Sequence, residues 1–359
     1  MEKIVYFDHA ASTVVMPEIL QKFQEYSLRY YANAEAVHLL AYEAREALKR
    51  AGESISRSLF GDKDHPVIWG NSATELFRVL ASCREFGEAA ASALEHPALL
   101  ANLSNFTRLG TMPVDRGGKI LAAAQTPDIC CLHQVQSELG IIQDTAAIFD
   151  TVAPRCRMVD AVQSAGKFKL DKNADVWVIS GVKFGSPGGA AMVLAPDGVF
   201  TDKLLAHAEN LRRKDYAVGR ISVPLMLTAA SALEKAVENM AENGSRIAEI
   251  NNFIRQQCAG MGIVPTLPET AAVSPYILNL LLPHQESAVV IRALSQRGIF
   301  AASGSACSAE SNTPSPALTA LGFPAKKAYR ALRLSFGAGN TPEDAEIFIS
   351  GLKNVLKNY

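Results

Sequence analysis

A lysine set between an apolar run and a Gly/Pro loop is the chemically richest position in the chain. It lies in Ser180-Gly181-Val182-Lys183-Phe184-Gly185-Ser186-Pro187-Gly188-Gly189. Sites in α/β sheets form at the C-terminal ends of strands. A lysine withdrawn from water there has a lowered pKa and suits Schiff-base chemistry, although a surface lysine in a turn has the same local pattern. In Val159-Asp160-Ala161-Val162-Gln163-Ser164-Ala165-Gly166 an acid ends another apolar run. A buried carboxylate needs a cationic partner. A protonated cofactor nitrogen is one such partner, and capping of the following helix is the plainer use of such an Asp. Asn71-Ser72-Ala73-Thr74-Glu75 follows the apolar run Val67 to Trp69. Free amides and a hydroxyl at a helix start make an anion cradle, or simply a Ser/Thr cap.

Three further segments carry reactive side chains. Glu95-His96-Pro97-Ala98 places a histidine before a helix start, fit to stack on an aromatic ligand or to move protons; a satisfied loop histidine is the alternative. Ser303-Gly304-Ser305-Ala306-Cys307-Ser308 puts a cysteine in a small-residue polar loop, accessible enough to react. The other five cysteines, Cys83, Cys130, Cys131, Cys156 and Cys258, sit in apolar or helical patterns. Leu332-Arg333-Leu334-Ser335-Phe336-Gly337 sets an arginine in an apolar strand pattern. It would grip a carboxylate bidentately or form an internal salt bridge.

The elements that must position these groups read as an α/β protein. Val67 to Trp69, Ile129 to Leu132, Arg157 to Val159, Val176 to Ile179 and Ala191 to Leu194 are nearly continuous apolar runs, as in strands buried on both faces. A helix is predicted from about Ala41 to Phe60, with Ala44, Ala47, Leu48, Ala51, Ile55 and Leu59 on one face. Beyond Val223 come two long helices, a strand from Tyr276 to Leu282, a helix over Ser287 to Arg297, and a C-terminal helix. Thr341, Pro342, Glu343 and Asp344 mark the start of that last helix. Residues 15–250 are expected to form a large α/β domain, and residues 1–14 with 251–359 a smaller α+β domain.

Composition limits the function. The 359 residues carry 35 Lys plus Arg against 36 Asp plus Glu, and 48% are hydrophobic. A near-neutral chain offers no global field for nucleic acid, and its apolar content argues against disorder. No apolar run approaches the ~18 residues of a membrane span, and Met1-Glu2-Lys3-Ile4-Val5 opens no signal-peptide core. Six scattered cysteines without a CxxC point to reduced thiols and a cytoplasmic protein.

Taken together and in order, these motifs resemble the cysteine desulfurases of the class V aminotransferase group, pyridoxal 5'-phosphate (PLP) enzymes of fold type I. The resemblance runs from Tyr6-Phe7-Asp8 to the C-terminal helix. It implies a large domain with a mostly parallel seven-stranded sheet. It also implies PLP as cofactor and L-cysteine as substrate, with alanine released and a persulfide left on Cys307. Lys183 would be the Schiff-base lysine, His96 the ring-stacking proton carrier, Asp160 the partner of the pyridine nitrogen and Gln163 that of the phenolic oxygen. Ala73, Thr74 and Ser180 would cradle the phosphate, and Arg333 with Asn33 would hold the substrate carboxylate. A homodimer and a sulfur-accepting or scaffold protein, as in iron–sulfur cluster assembly, are implied as partners. No metal is.

Four segments depart from the family pattern. Val182 stands where a phosphate-contacting His is usual, and Gln136-Ser137-Glu138 replaces Asn-Asn-Glu. Tyr216-Ala217-Val218-Gly219-Arg220-Ile221-Ser222 replaces an Arg-Ser-Gly-Thr-like segment, and His207-Ala208-Glu209-Asn210 a Gly-Gly-Gln-Glu-like one. Arg220 is expected to supply the lost phosphate contacts with a full charge, with a surface ion pair as its plainer role. An aminotransferase or lyase acting on another amino acid, or a non-catalytic paralogue, are the competing functions. An intact Cys307 argues against the first of these, and six retained site residues against the second.

Overall fold

The computed structural model describes residues 3–62, 64–213, 219–304 and 313–358. Its strands are β1 (Val5–Tyr6), β2 (Val67–Gly70), β3 (Glu88–Ser92), β4 (Arg108–Met112), β5 (Ile129–His133), β6 (Cys156–Asp160), β7 (Val176–Ser180), β8 (Ala190–Leu194), β9 (Val264–Pro265), β10 (Ile277–Leu281), β11 (Ile299–Phe300) and β12 (Ala331–Ser335). Seven of them form one sheet in the order β2-β8-β7-β6-β5-β3-β4. Only β8 runs antiparallel to its neighbours, which matches the expected mostly parallel sheet. The five apolar runs read from the sequence are β2, β5, β6, β7 and β8. Every residue of β5, β7 and β8 is buried.

Burial on both faces comes from helices on both sides. One face packs against Leu39–Phe60 and Val223–Glu238, the other against Ala73–Ala81, Pro97–Leu103 and Thr201–Arg213. Side chains alternate along each strand, so Val159 and Ile179 join the first core, and Met158, Val178 and Cys131 the second. By the same alternation Asp160, Ser180 and His133, two residues further on, point to the second side. That is the side on which the helices Ala73–Ala81 and Pro97–Leu103 begin, so strand parity brings the functional groups together.

A separate core gathers the chain's two ends. β1 pairs with β11, and β12, β10 and β9 form a three-stranded antiparallel sheet. Val5, Phe7, Ile247, Ile254, Leu278, Leu334 and Phe348 are buried together there. The helix Pro342–Asn358 starts as its sequence predicts, the Thr341 hydroxyl accepting from the Asp344 amide at 3.3 Å.

The turn between β7 and Lys183 is tight. A Cβ on Gly181 would collide with the carbonyl oxygens of Gly188 and Gly189 and with the Ser186 side chain. Gly181→Ala is expected to destabilise the protein by about 1–3 kcal/mol through overpacking. The measurement is denaturant unfolding, with a lower midpoint at unchanged slope.

Candidate functional site

At the C-terminal ends of β5, β6 and β7 lies a cavity of about 320 Å³. Its lining includes Lys183, Asp160, Gln163, Ser180, His96 and Arg333, and the helix start Ser72, Ala73 and Thr74. Eight residues singled out in the sequence thus meet in one place: Lys183, His96, Ala73, Thr74, Asp160, Gln163, Ser180 and Arg333. Two helix starts point into it. Ser72 caps Ala73–Ala81, its hydroxyl accepting from the Glu75 amide at 3.2 Å, and the first-turn amides have no helical acceptors. His96 caps Pro97–Leu103, its Nδ1 accepting from the Ala98 amide at 3.1 Å. That bond leaves Nδ1 unprotonated and puts the ring proton on Nε2.

The N-terminal arm closes the cavity. Lys183 Nζ donates to the Ala11 carbonyl, and Gln163 Nε2 donates to the Ala10 carbonyl at 2.9 Å. The Ala10 amide donates in turn to Ser335 Oγ at 2.8 Å. Arg333, only 2% exposed, donates from Nη2 to Asp8 Oδ1 at 2.7 Å and from Nη1 to the Ser137 carbonyl at 3.1 Å; its Nε is buried without a partner. The internal ion pair expected as the alternative role of Arg333 is therefore formed, and its partner is Asp8.

Burial sets the electrostatics. It holds the Lys183 ammonium below its usual pKa, helped by the positive Arg333 and opposed by Asp8 and Asp160. Burial, with Lys183 nearby, also lowers His96. Asp160 is pushed up to about 6, mainly by burial, although its Oδ1 accepts from the Val162 amide at 3.0 Å. An acid raised in the folded state favours folding below its unfolded pKa near 3.8, and that favour is lost as pH rises through about 6. Asp160→Asn is accordingly expected to stabilise the cofactor-free protein relative to the parent above pH ~6, with the difference vanishing near pH 4. Thermal unfolding of both forms across that range checks the sign.

Two expected site residues, Asn33 and Arg220, stand apart. Asn33 lines a neighbouring cavity of about 360 Å³ with Arg45, Arg212, Arg213 and Arg220, and does not share an anion site with Arg333 in this chain. Its Oδ1 is used locally, accepting from the Glu35 amide at 3.2 Å. Arg220 also lies in that second cavity, its Nη2 donating to the Tyr31 carbonyl at 3.4 Å. Its backbone carbonyl accepts from Asn71 Nδ2 at 3.3 Å, so the residue borders the cradle while its guanidinium turns away. Cys307 lies outside the described residues, as do Tyr216, Ala217 and Val218.

Sequence reasoning also missed a buried pair. His133, which ends β5, donates from Nδ1 to Glu95 Oε1 at 2.8 Å, and that oxygen also accepts from Ser92 Oγ at 2.6 Å. Glu95 had drawn notice only as the neighbour of His96. The available signal was a histidine ending an apolar run, at the same position on its strand as Asp160 on the next.

Comparison with known proteins places the chain. It is 25% identical to the cysteine desulfurase IscS of Clostridium botulinum (strain Hall), the alignment covering 99% of this chain and 95% of the relative. It is also 25% identical to the cysteine desulfurase NifS of Azotobacter vinelandii, over 95% of this chain and 90% of that one. The crystal structure of a NifS-like protein from Rickettsia africae superposes with a TM-score of 0.84 at 19% identity, covering 99% of this chain and all of that one, and so shares the fold. The profile of the Aminotransferase class-V family matches residues 5–348. With that match over nearly its whole length, the chain belongs to the class-V aminotransferase family.

Proposed function

We propose that the protein is a PLP-dependent cysteine desulfurase. The observation that carries the cofactor reading is the meeting of Lys183 and Asp160 in one cavity, together with a capped helix start and the His96 ring. The donor set fits PLP part by part. Lys183 matches the aldehyde, Asp160 the ring nitrogen, Gln163 the phenolic oxygen, and His96 the ring face. Ser180 and the amides of Ala73 and Thr74 match the phosphate. When bound, PLP accepts electrons from bonds broken at the substrate's α-carbon.

The chain's own residues supply the rest. Lys183, its amine kept partly neutral by burial, takes and returns the α-proton. Asp160, buried at the cavity wall, gives a cation delivered there its counter-charge. The Arg333 guanidinium is shared with Asp8, so a substrate carboxylate docks on a pair and not on a free arginine. Cys307 accepts the sulfur. An S–S bond forms as the substrate's Cβ–S bond breaks, the electron pair stays with carbon, and protonation there yields the methyl of alanine. L-Cysteine as substrate rests on the names of the IscS and NifS relatives and on Cys307 itself.

A homodimer and a sulfur-accepting protein are the proposed partners. In support of the dimer, Leu20, Leu28, Tyr31, Val37, Leu39 and Tyr42 are exposed large apolar or aromatic side chains gathered in one stretch of the chain. Tyr31 and Val37 bracket in sequence Asn33, Ala34 and Glu35, which line the cavity that holds Arg220, and the Tyr31 carbonyl accepts from Arg220. Reaching the phosphate of a second copy across such an interface is the role proposed for Arg220. Arg220→Ala is expected to weaken PLP binding about tenfold by loss of a charge-assisted contact; an unchanged dissociation constant, measured by absorbance titration, removes that role.

The altered phosphate contacts, Val182 foremost, favour one second reading, a non-catalytic paralogue. Titrating the purified protein with PLP and then adding L-cysteine separates the two. A yellow protein that releases sulfide supports the desulfurase, and one that stays colourless with added PLP overturns it.

A further inference from the structure

The buried Glu95–His133 pair has no assigned task, and its geometry is specific. The two side chains are essentially solvent-free and 2.8 Å apart. Glu95 Oε1 accepts from both Ser92 and His133, while its Oε2 is buried without a partner. With Nδ1 committed to Glu95, His133 has Nε2 to offer, and that atom is buried without a partner. His133 lines the Lys183 cavity. It is also the register partner of Asp160 across parallel strands, so the two side chains leave the sheet on the same face. A buried polar pair left half-satisfied at considerable cost and facing a functional cavity is a candidate for a role.

We propose that His133 is a positioning residue for Asp160. Bonded to Glu95 through Nδ1–H, its ring can serve Asp160 only as an imidazolium, whose Nε2–H then lies beside the Asp160 carboxylate and leaves it available to a cationic ring nitrogen. Without the imidazole, Glu95 and Asp160 would face each other as like charges in a dry pocket, and Asp160 would be driven to its neutral form. The other titratable groups near the trio are Lys183 beyond β7, His96 at the adjacent helix start, and the thiols Cys130, Cys131 and Cys156. Burial raises all three thiols, which keeps them protonated and leaves Glu95 and His133 as the groups that set the local balance. The inference rests on the PLP reading.

The test is the affinity of the cofactor-free protein for PLP as a function of pH, which needs no turnover. His133→Leu is expected to move the acid limb of PLP binding up by about one pH unit, which weakens binding about tenfold near pH 5 and about twofold at pH 7. The double variant Glu95→Leu/His133→Leu removes the opposing carboxylate as well, since an ion pair replaced whole by apolar groups is tolerated. It is expected to return to within about threefold of the parent near pH 5, a rescue that a packing role would not give. If His133→Leu does not fold, His133→Gln keeps the volume and a donor for Glu95 but no charge, and the same shift is expected. A single variant with the parent's affinity and pH limb overturns the proposal, as does a double variant no better than the single. A parent that does not bind PLP defeats the cofactor reading instead.

Discussion

Cys307→Ala is expected to abolish sulfide release from L-cysteine while leaving PLP bound and coloured. Removing an essential nucleophile typically costs ~10³-fold or more in rate. No other described thiol can stand in. Cys83, Cys130, Cys131, Cys156 and Cys258 are all buried, and burial raises each one, Cys258 to about 12. Such thiols carry almost no thiolate at neutral pH. The variant also separates two tasks. On the proposed reading, cofactor capture falls to the cavity at the ends of β5, β6 and β7, and sulfur transfer to Cys307. Sulfide formed at the parent's rate by Cys307→Ala, measured alongside the absorbance spectrum, contradicts the nucleophile assignment.

Lys183→Ala is expected to convert covalent capture of PLP into reversible binding and to lower turnover by about 10²–10⁴-fold, the range for losing a positioned base. Burial and the nearby Arg333 lower the pKa of this amine, which favours its neutral, nucleophilic form. Lys183→Arg retains charge and length but cannot form a Schiff base, so the same loss is expected. Borohydride reduction of the parent with PLP, followed by peptide mass analysis, should mark the peptide containing Lys183 and leave both variants unlabelled. A label on Lys167 or another lysine contradicts the assignment.

Much of this was legible before the structure, for physical reasons that differ by element. Central strands covered by helices on both sides are apolar at nearly every position, so β5 to β8 announced themselves. β3 did not. Its Glu-Ala-Ala-Ala-Ser sequence has the propensity of a helix, and its place between β4 and β5 overrides that preference. Arg108–Met112 was equally silent, being only partly buried at the sheet's edge.

Lys183, Asp160, His96 and Gln163 stand in motifs local in sequence, and all four line one cavity. Pairings between distant segments were hidden. Asp8 meets Arg333 across 325 residues of chain, and Glu95 meets His133 across 38. Neither partner carries a local sign of the other. Asn33 shows the converse, since the family resemblance implies that it shares a substrate carboxylate with Arg333, whereas the two line different cavities in this chain.

The central claim is the reaction, and its products decide it. Purified protein loaded with PLP and given L-cysteine under a reductant should yield alanine and sulfide in equal amounts. Keto acid formed without sulfide, or a PLP-loaded protein that leaves L-cysteine unchanged, would contradict it.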